Sequence, residues 1–323
     1  MHRTTVTGKP AAAGFAYRRP RRQIAPMAKL SALAGVARAP FLLLPVALVA
    51  SGAAAGAYDG HFSWRRTVVA LVGLVALHVA VNVLNEWSDM RTGIDLHTKR
   101  TPFSGGSGTL PAGAISLRAT LLFGLTAAAV GLALGAWLLI QVGWVLLPVM
   151  LVGAVFVLAY TDVLARIGVG EIAAGLGLGG LPVMGTALVQ DGTLGPAALA
   201  AAVPATCMTF NLLLLNEFPD EEADRAGGRR NLVILFNRRG AAAIYAAAAL
   251  LTPFAVVAAV VANLLPQYAL AAVLPSVLLK DPLRWALGDP ASPVPIPALG
   301  ANVAWNLATN LFLAASLVVA ALL

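Results

Sequence analysis

The stretch NVLNEWSDMRTGID, Asn82 to Asp95, closes one long apolar run of the chain, and NEFPDEEADRAGGRRNL, Asn216 to Leu232, closes another. Glu86, Asp89 and Asp95 belong to the first, and Glu217, Asp220, Glu221, Glu222 and Asp224 to the second, so eight of the 14 acids stand at two places. Ionisable groups beside apolar spans are costly there and mark function by default. Spacing adds direction. His78, Asn82, Asn85 and Asp89 follow at i, i+4, i+7 and i+11, and Asn216, Asp220 and Asp224 at i, i+4 and i+8. At about 3.6 residues per turn each set shares one helix face. Each stripe runs from carboxamide inside the span to carboxylate at its end.

Outward from these motifs the chain is 59% hydrophobic and 11% charged, against roughly 25% charged residues in soluble domains. Most of it therefore faces lipid or other apolar helices. Runs of about 20 apolar residues fall near 39–57, 67–88, 117–136, 139–160, 170–190, 196–217, 241–262, 266–283 and 300–322. That predicts an all-α integral membrane protein with nine transmembrane helices, the eighth interrupted by Pro275 and ended by Lys280 and Asp281. With the N-terminus in the cytoplasm, every Lys and Arg except Arg65 and Arg66 lies on the cytoplasmic side, as the positive-inside rule requires. The net charge of +8 is then a topology signal, and no nucleic-acid partner is implied. Residues 1–30, rich in Arg, Pro and Ala, read as a disordered basic leader that touches anionic headgroups, and 31–323 as one transmembrane domain. The small residues Ser51 to Ala57 resemble a signal-peptide cleavage site, but eight further spans favour a first span there. The single cysteine, Cys207, allows no intrachain disulfide.

Oxygen-only ligands suit a hard cation such as Mg²⁺, which binds through one or two carboxylates plus substrate phosphates. The motifs stand four helices apart, on helices that run the same way, which predicts two four-helix pseudo-repeats plus one helix. Two Mg²⁺ ions then sit between facing stripes. Lys99 and Arg100 follow the first stripe, Arg229 and Arg230 the second, and Arg166 lies in the loop between. These are candidates for the remaining charge of a diphosphate. The glycine-rich 102–108 segment lacks the Lys-Ser/Thr ending of a P-loop and reads as a cap over the site. Glu221, Glu222 and Asp162 read as solvated helix ends, His78 as a buried structural histidine, and Asn306 and Asn310 as cavity-lining or cross-helix groups.

These motifs, N-x-x-x-D with a further Asp and D-x-x-x-D at matching helix ends, resemble those of the UbiA superfamily of intramembrane prenyltransferases, across nearly all of the chain after residue 30. The resemblance implies a UbiA-like bundle in a cell (plasma) membrane with its site facing the cytoplasm. It implies transfer of a prenyl group from an isoprenyl diphosphate to an aromatic, quinone-precursor-like acceptor. Asn85, Asp89, Asp95, Asn216, Asp220 and Asp224 match as metal ligands, with Asp89, Asp220, Asn85 and Asn216 central to catalysis. Trp87, Phe103 and Tyr160 are candidates for stabilising an allylic cation. The six-residue step from Asp89 to Asp95, and Arg38-Ala-Pro-Phe41 at the first span, resemble the 1,4-dihydroxy-2-naphthoate branch of menaquinone biosynthesis. Two departures stand out: Glu86 replaces the usual Asp after Asn85, and the loop after Tyr160 reads Thr-Asp-Val-Leu. The second keeps open a terpene cyclase that uses the same metals without an acceptor. A transporter, the alternative of a different class, places polar groups near the bilayer midplane, whereas these acids gather at one surface. Prenyl length and oligomeric state are not legible.

Overall fold

A computed structural model describes residues 26–323, with side chains from Leu30 onward; the basic leader expected over 1–30 falls almost wholly outside them. Eight helices among the described residues are long and apolar enough to cross a membrane. They are α1 Ala39–Tyr58, α2 Trp64–Thr92, α3 Leu117–Val142, α4 Trp144–Ile167, α5 Gly170–Asp191, α6 Pro196–Glu217, α7 Leu232–Val261 and α8 Ile296–Leu322. Polar caps fix the starts of α2, α3 and α7: Ser63 Oγ accepts from the N–H of Arg66 at 3.4 Å, Ser116 Oγ from Ala119 at 3.2 Å, and Asn231 Oδ1 from Ile234 at 3.0 Å. Each satisfies a donor that the first helical turn leaves bare.

Three spans differ from expectation in ways that matter. The helix α2 runs to Thr92 and ends at Gly93 with φ +83°, so Asp89 is helical and its stripe is real. The break expected between 136 and 139 comes at Gly143, φ +86°. The apolar run continues to Val142, and only glycine takes that backbone readily. The expected eighth span is a 3₁₀ helix, Gln267–Leu279, continued by the α-helix Lys280–Leu287. Pro275 inside it has no N–H to sustain an α-helical ladder.

Small residues bring the spans together, as expected where lipid offers no hydrophobic drive. A Cβ on Gly179 of α5 would stand 2.5 Å from the Ala205 carbonyl of α6. Between α6, α7 and α8 a buried polar ring closes. Asn211 Nδ2 donates to the Tyr245 carbonyl at 3.0 Å, Tyr245 Oη to Asn302 Oδ1 at 3.0 Å, and Asn302 Nδ2 to the Asn211 carbonyl at 3.2 Å. Asn306 bonds across to Thr209 at 3.4 Å, and Asn310 bonds back to Asn306, which favours the cross-helix reading of that pair. Helix α4 stands apart. Only 11% of its apolar window is buried, against 61% for α5 and α6.

Candidate active site

The ends of α2 and α6 meet. After Gly93 the chain makes the short helix Ile94–His97, which packs against Glu221–Ala226 beyond α6. Arg229 then folds back between them. Its Nη1 donates to Asp224 Oδ1 at 3.2 Å and its Nη2 to Asp89 Oδ1, so one guanidinium joins the two acidic motifs. Asn231 Nδ2 holds the other Asp224 oxygen at 2.9 Å.

The glycine-rich segment forms a strap across this junction. Thr98 Oγ1 donates to Asp220 Oδ1 at 2.8 Å and the Gly105 N–H to Asp220 Oδ2 at 3.0 Å. Ser107 donates through its N–H (2.6 Å) and its hydroxyl (2.8 Å) to the two oxygens of Glu86. The departure at Glu86 thus anchors the strap. Gly105, Gly106 and Gly108 all have φ between +70° and +79°, and a Cβ on Gly106 would stand 2.6 Å from Asp95 Oδ1. Gly106→Ala combines a left-handed backbone with a clash against a buried carboxylate. It is expected to cost about 1–3 kcal/mol and to loosen the strap, read as a lower thermal midpoint and faster hydrogen exchange over 98–109. Unchanged protection there would show that the strap is not seated by this contact.

The site carries more negative charge than its cations cancel. Asp95 is 2% exposed, and its Oδ2 has no hydrogen-bond partner. Burial, with Glu86 and Asp89 nearby, pushes its carboxyl up to about 8. Burial also raises Asp224, to about 7, against the lowering pull of Arg229, and raises Asp220. Burial alone would lower Arg229, but Asp89 and Asp224 outweigh it and hold the guanidinium charged. The folded chain therefore binds protons that the unfolded chain releases between about pH 4 and 8. Stability of the metal-free protein is expected to fall as pH rises through that window. Thermal denaturation with a chelator at about pH 5.5 and 8.5 checks the sign, since a midpoint that rises with pH would contradict it.

Among the described residues no three acid, histidine or cysteine groups converge on one point; Arg229 and the strap hold oxygens of Asp89, Asp220 and Asp224. The donor set still fits a hard cation bound with substrate phosphate, which asks for only one or two carboxylates per ion. The bare, buried Asp95 Oδ2 is the most direct sign of that fit.

The other expected residues divide. Arg38, in a left-handed backbone (φ +51°), donates to the Phe103 carbonyl at 3.0 Å, and its charge acts on Glu86, Asp89 and Asp220. Tyr160 opens a π-helical turn, Tyr160–Leu164, within the field of Arg229, Glu217, Glu171 and Asp224. Asn85 Nδ2 reaches Thr161 at 3.5 Å, and Asn216 is half-buried one turn before Asp220. Arg166 is half-buried beside Gly228. Lys99, Arg100 and Arg230 are exposed, Arg100 bonding only the Asp95 carbonyl, at 2.9 Å. Of the aromatics, Trp87 carries Arg91 over its ring at 4.4 Å, and the Phe103 ring packs near Gly300 of α8. Asp162, read as a solvated end, is exposed and also accepts from Ser88 Oγ at 2.5 Å. Sequence reading gave no role to Glu171, or to Glu217 within the second acidic motif; both acids are buried, and their side chains meet. Neither falls on one of the two helical stripes.

Known proteins share this architecture. Two curated relatives are named 1,4-dihydroxy-2-naphthoate octaprenyltransferase. The Bacillus subtilis (strain 168) protein is 23% identical over 175 residues, 53% of this chain and 55% of the relative. The Escherichia coli (strain K12) protein is 27% identical over 198 residues, 60% and 64%. The chain thus matches somewhat over half the length of each. Among solved structures, an apo UbiA homolog from Aeropyrum pernix K1 superposes with TM-score 0.66 at 18% identity, covering 87% of this chain and 98% of that one. A UbiA homolog from Archaeoglobus fulgidus bound to DMAPP and Mg²⁺ gives 0.57 at 17%, covering 88% and 99%. These likenesses establish the fold, a multi-pass membrane bundle. The model of the UbiA prenyltransferase family matches residues 43–280, and the chain belongs to that family.

Proposed function

We propose that this protein is a Mg²⁺-dependent intramembrane prenyltransferase that moves a prenyl group from an isoprenyl diphosphate onto an aromatic acceptor of the naphthoate type. The observation that carries the proposal is the junction of two acid-bearing helix ends through Arg229, with Asp95 left bare beside it. The relatives' printed names and the DMAPP and Mg²⁺ of a structural neighbour support the substrate class. Asp89 and Asp95 would hold one ion and Asp220 and Asp224 a second, with Asn85 and Asn216 completing the two shells. Bound there, Mg²⁺ neutralises charge that develops on the leaving diphosphate.

The chain's own residues do the rest. Arg229 turns from Asp89 and Asp224 toward phosphate oxygens, joined by Arg38, Arg166, Lys99, Arg100 and Arg230. The strap Thr98–Gly108 closes over them and excludes water. The C1–O bond of the substrate breaks and its electron pair leaves with diphosphate. Tyr160 faces the resulting allylic cation, an aromatic ring carbon attacks it, and that carbon then loses its proton.

The same reading sets topology. The N-terminus is cytoplasmic in a plasma membrane, the site faces the cytoplasm, and α2–α5 and α6 onward are the two pseudo-repeats. Gln267–Leu287 is a ninth crossing: at about 2.0 Å per residue a 13-residue 3₁₀ helix reaches roughly 26 Å, nearly the bilayer core. Product mass spectrometry tests the function, using a panel of prenyl diphosphates with and without 1,4-dihydroxy-2-naphthoate. A prenylated naphthalene product that requires Mg²⁺ is expected. A cyclised terpene formed without acceptor would replace this reading with a cyclase.

A further inference from the structure

We propose that Arg238 is a positioning residue for the metal site: it holds the turn beyond α6 that carries Asp220. The inference rests on the function proposed above. The turn has little to hold it from within. Helix α6 ends at Glu217, and Pro219 has no N–H with which to continue it. The last carbonyls of any helix lack partners inside that helix. Asp220 follows directly, its N–H returning to the Glu217 carbonyl at 3.1 Å.

Arg238 supplies the missing contacts. Its Nη1 donates to the Phe218 carbonyl at 3.1 Å and to Glu221 Oε2 at 3.2 Å. One nitrogen therefore grips the chain two residues before Asp220 and one residue after it. The guanidinium also lies over the Phe218 ring, 5.2 Å from its centre, and a cation there complements the negative end of α6. The other two nitrogens reach the segment before α8. Nε donates to the Pro290 carbonyl at 2.8 Å and Nη2 to the Ser292 carbonyl at 3.0 Å. Trp285 donates to the same Ser292 carbonyl at 3.2 Å and meets the Phe218 ring edge-on at 4.8 Å. All three nitrogens of the planar fork are thus bonded, and the turn is tied to the start of α8.

The backbone of α7 is broken to present this side chain. Asn237 has φ +57° and ψ 169° inside the helix, a conformation unfavourable for any residue with a side chain. Its Oδ1 restarts the helix by accepting from the N–H groups of Arg239 at 3.1 Å and Gly240 at 3.2 Å. The break separates two grips on one motif. Before it, Asn231 holds Asp224 at 2.9 Å; after it, Arg238 holds Phe218 and Glu221. Residues 231–238 therefore set both carboxylates proposed for the second ion.

The test compares Arg238→Gln and Arg238→Lys with Arg225→Gln in nanodiscs. Arg225 is exposed and pairs with the other Glu221 oxygen at 3.1 Å, so its loss alters charge at Glu221 without releasing the turn. The probe is radiolabelled geranyl S-thiolodiphosphate, and the readout is the Mg²⁺ concentration that gives half-maximal binding. We expect Arg238→Gln to raise that concentration ~10-fold or more, the usual cost of losing a group that orients a metal ligand. Arg238→Lys keeps the charge but cannot span the turn and residues 290–292 together, and should raise it at least ~3-fold; this variant carries the test should the glutamine variant not fold. Arg225→Gln should stay within ~2-fold, as for an exposed ion pair. A lower thermal midpoint with an unchanged Mg²⁺ requirement in both Arg238 variants would make the residue a structural tie and overturn the proposal. An equal rise in Arg225→Gln would also overturn it, by assigning the effect to charge at Glu221. Absence of Mg²⁺-dependent binding in the unmodified chain is a separate result, which would end the function proposed above and this inference with it.

Discussion

Asp220→Asn and Asp89→Asn are each expected to lower prenyl transfer by at least ~10³-fold, equivalent to about 4 kcal/mol of transition-state stabilisation. Each substitution removes a charge on which an ion and its diphosphate would depend, while keeping the side-chain shape. The Asp220 result needs a control, because both Asp220 oxygens also hold the strap through Thr98 and Gly105. The carboxamide introduced by Asp220→Asn has only one acceptor oxygen, so it would disturb one of those two contacts as well. Thr98→Val isolates the strap's share. It removes one hydrogen bond, worth about 1 kcal/mol, and should cost less than ~10-fold. Initial rates of diphosphate release on detergent-purified protein, with size-exclusion profiles to confirm folding, read all three. Retained activity in both Asp variants would end the proposed mechanism. Equal losses in Thr98→Val and Asp220→Asn would make Asp220 a strap anchor instead of a ligand.

Much of this site was legible because helical periodicity is a hard constraint. Asn85 and Asp89 share a face at any α-helical geometry, and the structure extends α2 far enough to make them helical. The same arithmetic turns Trp87, two positions from Asn85, about 200° around the helix, where Arg91 lies over its ring at 4.4 Å. Pro275 likewise flagged the irregular segment that became a 3₁₀ helix.

Other features leave no local trace. Glu86 departs from the family's usual Asp, and its carboxylate accepts from Ser107, 21 positions away. Glu171 is a lone acid in sequence and accepts from the Leu232 N–H at 2.5 Å, across 61 residues. Motif chemistry was therefore written along the chain, while the strap, the buried acids and the grip of Arg238 arise only when distant segments meet.

Arg229→Ala is the second large effect expected, and it separates two roles of one side chain. In the metal-free protein Arg229 is the counter-charge shared by Asp89 and Asp224. Removing one partner of a buried ion pair costs about 3–5 kcal/mol, so the variant's thermal midpoint in chelator should fall clearly below that of the unmodified chain. Yet the same guanidinium occupies carboxylate oxygens that an ion needs. Adding Mg²⁺ should then stabilise the variant more than the unmodified chain, because no arginine has to be displaced first. Turnover should drop ~10²–10³-fold, the usual loss when one preorganised donor to developing charge is removed. Arg229→Lys should recover only part of either property, since a single ammonium lacks the planar fork that spans two carboxylates. Midpoints with and without Mg²⁺ in the three proteins decide the matter. If Mg²⁺ raises them equally, Arg229 does not compete for the metal site, and the bridge is purely structural.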